Sequence, residues 1–492
     1  MVKIISNKAF SEQLSWINEY EQYSIFDTHL SFLKKRMLTL APKLSDRKIW
    51  MINSTSEGGG VAEMLPSLIG FLRKLGLTVD WAIIESNEQS FFDFTKRIHN
   101  LVHGVQQDPK NKIFSDLELY EQVNKSNAAS LKSHLKNGDI LLLHDPQPLP
   151  LGYFLSQEMD LIFLWRCHIG VPYTNEQSSF IWKHLKKYLD STTSCAFTSP
   201  EYIPKYLKHK STIIQPAINP LSHKNQELSF YEVTSILSYS GICKSPSEAP
   251  TPLAFGKQVL RLLPNGEMSI PEDNSLLFKP IILQISRWDK LKGWKHLING
   301  FAHFKESLKK ERDLPEDDLL RLRSTCLVMA APDPLSIPDD LEAIDFFEEI
   351  KEIYFNLAWS IQRDCYVFLL PMESRKENAL IVNALQRLSS VIVQASREEC
   401  FGLTVTEAMW KRRPVIGSNA FGIKLQVKDH HNGRIVEDIS NPQELSDLII
   451  ELLINKKLAN SLSQNSRWSV VKQNLLFTQV SQYLDFIEAA IT

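Results

Sequence analysis

A chain of 492 residues, 43% hydrophobic and 23% charged, has room for two to four domains, each with a core of its own. Its 55 Lys plus Arg balance 57 Asp plus Glu, which excludes the overall basic excess of a nucleic-acid or anionic-membrane binder and leaves only a local basic pocket open. The six cysteines (Cys167, Cys195, Cys243, Cys326, Cys365, Cys400) form no CxxC pair, and no histidine stands at zinc-ligand spacing, a pattern that fits a reducing cytoplasm.

The opening MVKIISNKAFSEQLSW lacks the apolar run of a signal peptide, and stretches such as DLIFLW fall short of the ~18 residues of a membrane helix. The expectation is therefore a cytoplasmic chain without a secretion signal or a membrane span. RKIWMIN (47–53) predicts a strand and STSEGGG a turn. VAEMLPSLIGFLRKLG then predicts a helix from the spacing of Val61, Leu65, Leu68, Leu72 and Leu75, ended by Gly76, with Pro66 forcing a late start or a kink. VDWAIIE, GDILLLHD and DLIFLWRCHIG predict further buried strands, the last two with polar C-terminal ends. QPAINPLS (215–222) predicts a linker, and the Pro-, Ser- and Gly-rich segment 240–278 an excursion or mobile loop.

A second strand-and-helix series begins at KPIILQISRWDKLKG (279–293), followed by a helix with Trp294, Leu297, Ile298, Phe301 and Phe304 on one face. CLVMAA, CYVFLL, SVIVQAS and RPVIGS predict its later strands. A last helix of the series is capped by Asn441, with Pro442 and Glu444 in its first turn. The series predicts an α/β chain with two doubly wound halves, 1–219 and 220–465 with the excursion 240–278, and spacing predicts a C-terminal helix over 466–492.

In doubly wound sheets ligands bind beyond the carboxyl ends of strands. Arg287 and Lys292 follow the strand IILQIS in a loop that leads into a helix, where two cations and a helix N-terminus suit a diphosphate; an ordinary solvated loop is the equal alternative. After SVIVQAS, Glu399 ends a strand, Phe401-Gly402-Leu403-Thr404 forms a turn with exposed N–H groups, and the following helix carries Glu407 in its first turn. Glu407 alone could be a structural carboxylate at a helix start, whereas Glu399 beside an anion-cradling turn suits sugar hydroxyls.

EECFGLTVTEAMWKRRPVIG and SRWDKLKG resemble the donor-site motifs of retaining GT-B nucleotide-sugar glycosyltransferases of family four. INSTSEGGGVAEMLPSL, HDPQPLPL, WRCHI and PAINPLSHKN are similar, more narrowly, to the trehalose synthase and trehalose phosphorylase branch. The resemblance implies a GT-B fold, two Rossmann-like domains facing a cleft, with the C-terminal helix packing back on the first; because the acceptor-side motifs all precede residue 220 and the donor motifs all follow residue 286, the halves are expected to close over the donor. It implies that Arg287 and Lys292 hold the diphosphate, Glu407 the ribose, and Glu399 with the Phe401, Gly402, Leu403 and Thr404 amides the hexose. It further implies that His168 contacts the sugar near the reacting carbon, that Gly58, Gly59 and Gly60 let backbone approach phosphates and acceptor, and that Asp145 and Gln147 bind acceptor. For His168 a satisfied core histidine, and for the glycines a plain turn, are the bland alternatives.

The implied activity is that of a hexosyltransferase moving a hexose, glucose foremost, from a nucleoside diphosphate sugar to a small sugar with retention. Its partners are those two small molecules, with no nucleic acid and no membrane; a homodimer is left open. No cofactor or metal is required, since the cations and helix N-termini can take its place, and no Asp-x-Asp motif stands in a metal-binding context. Cys400 stands where the family has Gly and Phe421-Gly422 where it has Gly-Gly; a cysteine fits if its φ stays negative, and Phe421 narrows the sugar pocket. Three other readings stay open: a phosphorylase using inorganic phosphate, a sugar-nucleotide epimerase and a non-catalytic sugar-binding protein.

Overall fold

The computed structural model describes residues 2–5, 17–56, 60–105, 113–244, 255–309, 314–336 and 341–492. The chain is α/β and divides into two compact units, residues 1–219 with 473–492 and residues 220–472. The first unit holds β1 (Lys3–Ile4), β2 (Ile49–Asn53), β3 (Val79–Ile83), β4 (Ile140–His144), β5 (Ile162–Arg166), β6 (Ser194–Phe197) and β7 (Ser211–Ile213), in the order β1-β3-β2-β4-β5-β6-β7. All pairs are parallel except β1 with β3. Every residue of β2 and β4 is buried, as a sheet covered on both faces requires.

The second unit holds β8 (Leu260–Leu262), β9 (Met268–Ser269), β10 (Ile281–Ile285), β11 (Cys326–Pro332), β12 (Cys365–Leu370), β13 (Val391–Gln394), β14 (Val415–Ser418) and β15 (Arg434–Val436). Their order is β15-β14-β13-β10-β11-β12-β8-β9, with β10 to β15 parallel and the β8–β9 hairpin antiparallel on the β12 edge. The helix Trp294–Ser307 sets Trp294, Leu297, Ile298, Phe301 and Phe304, all fully buried, into the core on this sheet. Asn441 caps the helix Pro442–Ile454 by accepting from Gln443 N, while both Glu444 oxygens accept from the Glu437 and Asp438 amides.

Three elements differ from expectation. Of the two expectations at Pro66 the late start is ruled out: the helix Gly60–Lys74 starts early and continues through Pro66, because Leu65, Leu68, Ile69 and Leu72 form one wholly buried face whose packing outweighs a missing N–H. Of the two expectations for 240–278, the described part fits the excursion and not the mobile loop: it carries a hairpin in which β8 and β9 flank Pro264-Asn265-Gly266, and the Arg261 guanidinium lies 3.7 Å from the Tyr366 ring centroid. Residues 245–254 of that segment lie outside the described residues. The C-terminal helix is two: Lys456–Gln473, whose residues up to 472 stay with the second unit, and Leu476–Ile491 in the first. The break falls at Asn474-Leu475, because there the backbone pairs with the linker instead, Ile218 N donating to Asn474 O and Leu476 N to Ile218 O. Phe477 beyond it sits 5.1 Å from both the Tyr20 and Phe26 rings.

Candidate functional site

Each sheet has one place where strands consecutive in the parallel series lie on opposite sides of the first strand. It falls between β2 and β4 in the first unit and between β10 and β13 in the second. Loops leaving the carboxyl ends diverge there and open a crevice, so these two places are where ligand-binding groups belong.

In the first unit, β4 ends on His144 and β5 on Arg166, both fully buried. The Arg166 guanidinium donates to the carbonyls of Cys167, Ala196 and Ile214 and to Thr198 Oγ1, so its charge is held by dipoles. Asp145 follows with φ +63°, a left-handed conformation that Asp tolerates better than most residues. Its Oδ1 accepts from the His168 amide at 2.7 Å. Burial pushes the Asp145 carboxyl up to about 6, even though the His168 N–H and the Arg166 charge pull the other way. His168 lies beside it, its Nε2 2.9 Å from His144 Nδ1, and His144 Nε2 is 3.4 Å from Met51 Sδ. Burial and then the Arg166 charge hold both imidazoles neutral, His144 down to about 3 and His168 well below its ordinary value. Gln147 is partly buried, its carbonyl accepting from Asn124 Nδ2 at 3.1 Å. Gly60 is the first residue of the helix after β2, while Gly58 and Gly59 lie outside the described residues.

In the second unit, Lys292 closes a short turn after β10, and its Nζ meets Glu399 Oε2 at 2.7 Å. Arg287, earlier in the loop, is 59% exposed in its side chain and 3.4 Å from Asp289. Glu399 lies five residues beyond the end of β13 rather than at the strand end, and Ser396 Oγ donates to the same Oε2 at 3.3 Å. Two backbone approaches fix this loop. Gly293, φ +70°, lies so close to Ala395 that a Cβ would sit 1.8 Å from its carbonyl oxygen, and a Cβ on Gly422 would sit 2.3 Å from Glu399 O. Gly422 N donates to that same oxygen at 3.0 Å, so Gly is required at 422 even though Phe421 precedes it.

The helix Leu403–Trp410 starts after Gly402, φ +85°, so Leu403 and Thr404 supply its first amides, while Phe401 is buried beneath them. Glu407 falls in the second turn of this helix, not the first, and is 5% exposed; Lys224 Nζ is 3.8 Å from its Oε1. Below it Lys411, fully buried, donates to Gln386 Oε1 at 2.7 Å and Asn225 Oδ1 at 3.1 Å; burial lowers its pKa against the pull of Glu407. Cys400 is not among the described non-glycine residues with positive φ, which removes the steric objection to it.

Several of these residues escaped sequence reasoning: Gln284, Gln394, His144, Arg166, Lys224 and Lys411. Gln284 bridges the switch point, accepting from Ala395 N and donating to Lys292 O, both at 2.9 Å. Gln394 accepts from Thr404 Oγ1 and donates to Ser286 and Ser396. The signal was present, since IILQIS and VIVQAS place the same Gln-x-Ser in two otherwise apolar strands. Among the described residues no group of three or more His, Cys, Asp or Glu side chains is arranged to hold a metal ion, and no helix is long and apolar enough to cross a membrane.

Residues 51–204 match the family described as "Trehalose synthase, N-terminal domain", and residues 371–468 the family "Glycosyl transferases group 1". A trehalose synthase of Thermococcus litoralis is 32% identical over 452 residues, 91% of this chain and 92% of that protein. A trehalose phosphorylase of Pleurotus pulmonarius is 24% identical over 457 residues, 86% of this chain but 55% of that longer protein. Among solved structures, an α,α-trehalose-phosphate synthase (UDP-forming) from Burkholderia vietnamiensis aligns with a TM-score of 0.63 over 91% of this chain and 97% of that one. At 12% identity this is a likeness of fold.

Proposed function

The chain belongs to the trehalose synthase and trehalose phosphorylase branch of the family-four GT-B glycosyltransferases, and from that premise we propose that it moves a glucosyl group from a nucleoside diphosphate sugar to a small sugar acceptor, with retention of configuration. One observation carries the reading. Lys292 and Glu399 meet across the β10/β13 switch point, a cation suited to a phosphate beside a carboxylate suited to sugar hydroxyls.

In this reading the second unit holds the donor. Arg287, Lys292 and the amides of Leu403 and Thr404 take the diphosphate, Glu407 the ribose hydroxyls and Glu399 the hexose. As the bond from the anomeric carbon to the diphosphate breaks, these cations and amides stabilise the charge that develops on the leaving group, a division of labour that needs no metal. Asp145, Gln147 and His168 of the first unit are assigned to the acceptor and the hexose, with Gly59 and Gly60 allowing backbone to approach. The synthase reading is preferred to the phosphorylase because the trehalose synthase matches over nine-tenths of both chains.

A panel of UDP-, ADP- and GDP-glucose against glucose, read by mass and anomeric NMR, tests the proposal. The expected result is an α,α-linked disaccharide with release of nucleoside diphosphate. Turnover only with trehalose and inorganic phosphate would replace it with the phosphorylase reading, and binding without turnover would make the chain a sugar-nucleotide-binding protein.

A further inference from the structure

We infer that His144 is a positioning residue that holds His168 as its Nε2–H tautomer, leaving Nδ1 of His168 as an acceptor for a sugar hydroxyl. The chain of reasoning starts at Met51. Its thioether sulfur can only accept, so His144 Nε2, 3.4 Å away, carries the hydrogen. A neutral imidazole with Nε2–H has a lone pair at Nδ1, and the partner of that lone pair, 2.9 Å away, is His168 Nε2. His168 Nε2 must then donate, and its Nδ1 is left bare. The opposite arrangement would aim a lone pair of His144 at the lone pairs of sulfur, a repulsion that the complete burial of His144 leaves poorly screened.

A shared proton between the two rings is also disfavoured. Arg166, the last residue of β5, is completely buried at the same end of the sheet, and its charge acts on both rings. The His168 amide is fixed as well, donating to Asp145 Oδ1, so backbone and ring are held from two sides. Nδ1 of His168, on a partly exposed residue, has no hydrogen-bond partner among the described residues. As a lone pair it accepts from a hydroxyl and cannot act as a general acid, which makes His168 a sensor of a sugar O–H. This use of the tautomer rests on the reading of His168 as a sugar contact; the tautomer itself does not.

The test uses the full chain with 15N-labelled histidine, the His168 signals being identified by their loss in His168→Gln. The Nε2–H pattern is expected for His168 between pH 6.5 and 8.5. His144→Leu should give a mixture of tautomers and lower kcat about tenfold, the worth of one lost hydrogen bond, while donor KM changes less than about threefold. Should His144→Leu fail to fold, Met51→Leu, close in volume, decides instead by letting the Nδ1–H form appear at His168. An Nδ1–H pattern in the natural protein, or one unchanged in whichever variant folds, would overturn the inference. Undiminished turnover in His168→Ala would overturn the sugar-contact reading and leave the tautomer assignment standing.

Discussion

The two switch points solve the same topological problem with opposite chemistry. At β10/β13 basic and acidic side chains pair at the strand ends, Lys292 with Glu399 and the more exposed Arg287 with Asp289, and two buried glutamines tie those ends together. At β2/β4 a buried arginine is solvated by carbonyls, two imidazoles are held neutral beside it, and burial raises one carboxyl to about 6. Fixed charges suit an anion that arrives and leaves with its charge. Neutral imidazoles and hydrogen-bonded groups held in set places suit hydroxyls, which bind through lone pairs and protons of fixed position. In the proposed function the first of these regions is the one assigned to the donor and the second the one assigned to the acceptor.

The comparison breaks most completely where backbone approaches backbone. Gly293→Ala would push a methyl into the Ala395 carbonyl at 1.8 Å, with a φ of +70° besides, and no side-chain rotation can relieve either. A loss of about 3 kcal/mol or more in urea unfolding is expected, together with at least about tenfold weaker nucleoside diphosphate binding, because Lys292 is the preceding residue. A silent Gly293→Ala would mean that the loop is not anchored as described.

Next in size is a stabilising change at the other switch point. The folded state raises the Asp145 pKa from an ordinary carboxylate value to about 6, so it holds the proton more tightly than the unfolded chain does. The ionised form therefore costs stability above pH 6, and the cost fades as pH falls towards 4. Asp145→Asn keeps an acceptor for the His168 amide and tolerates positive φ. It should gain about 2 kcal/mol at pH 8 and almost nothing at pH 4, while acceptor KM rises. Equal effects at the two pH values would refute the buried-charge account of this region.

What the sequence revealed follows the same division. Period and capping predicted the helix faces of Trp294–Ser307 and Pro442–Ile454 because both signals are local. Within 240–278 composition gave the excursion but not its hairpin, whose Pro264-Asn265-Gly266 turn lies between very short runs, and at Pro66 tertiary packing overrode propensity. Arg287 with Lys292 and Glu399 with Glu407 each fall in a short contiguous motif, which is why they stood out as candidates; that Lys292 meets Glu399 from the other motif appears only in the fold. Gln284 and Gln394 left a trace in the repeated Gln-x-Ser, but His144 and Arg166 left none, since a polar residue ending an apolar strand has meaning only once its neighbours across the sheet are known.

The smallest effect expected is at Arg287, and it sharpens the comparison within the charged region itself. Its guanidinium is mostly in solvent and its contact with Asp289 is long, so Arg287→Ala should change folding stability by no more than about 0.5 kcal/mol. Lys292 differs, because its side chain and that of Glu399 are only 18% and 13% exposed; Lys292→Ala leaves a largely buried carboxylate unpaired and should cost about 2 kcal/mol. Toward a nucleoside diphosphate the two should converge, each losing a charge-assisted contact and at least about tenfold in affinity by calorimetry. The two assays separate the roles. Equal stability losses would show that the Lys292–Glu399 pair is no more buried in its energetics than a surface bridge, and full nucleotide affinity in Arg287→Ala would remove Arg287 from the donor site while leaving Lys292 in place.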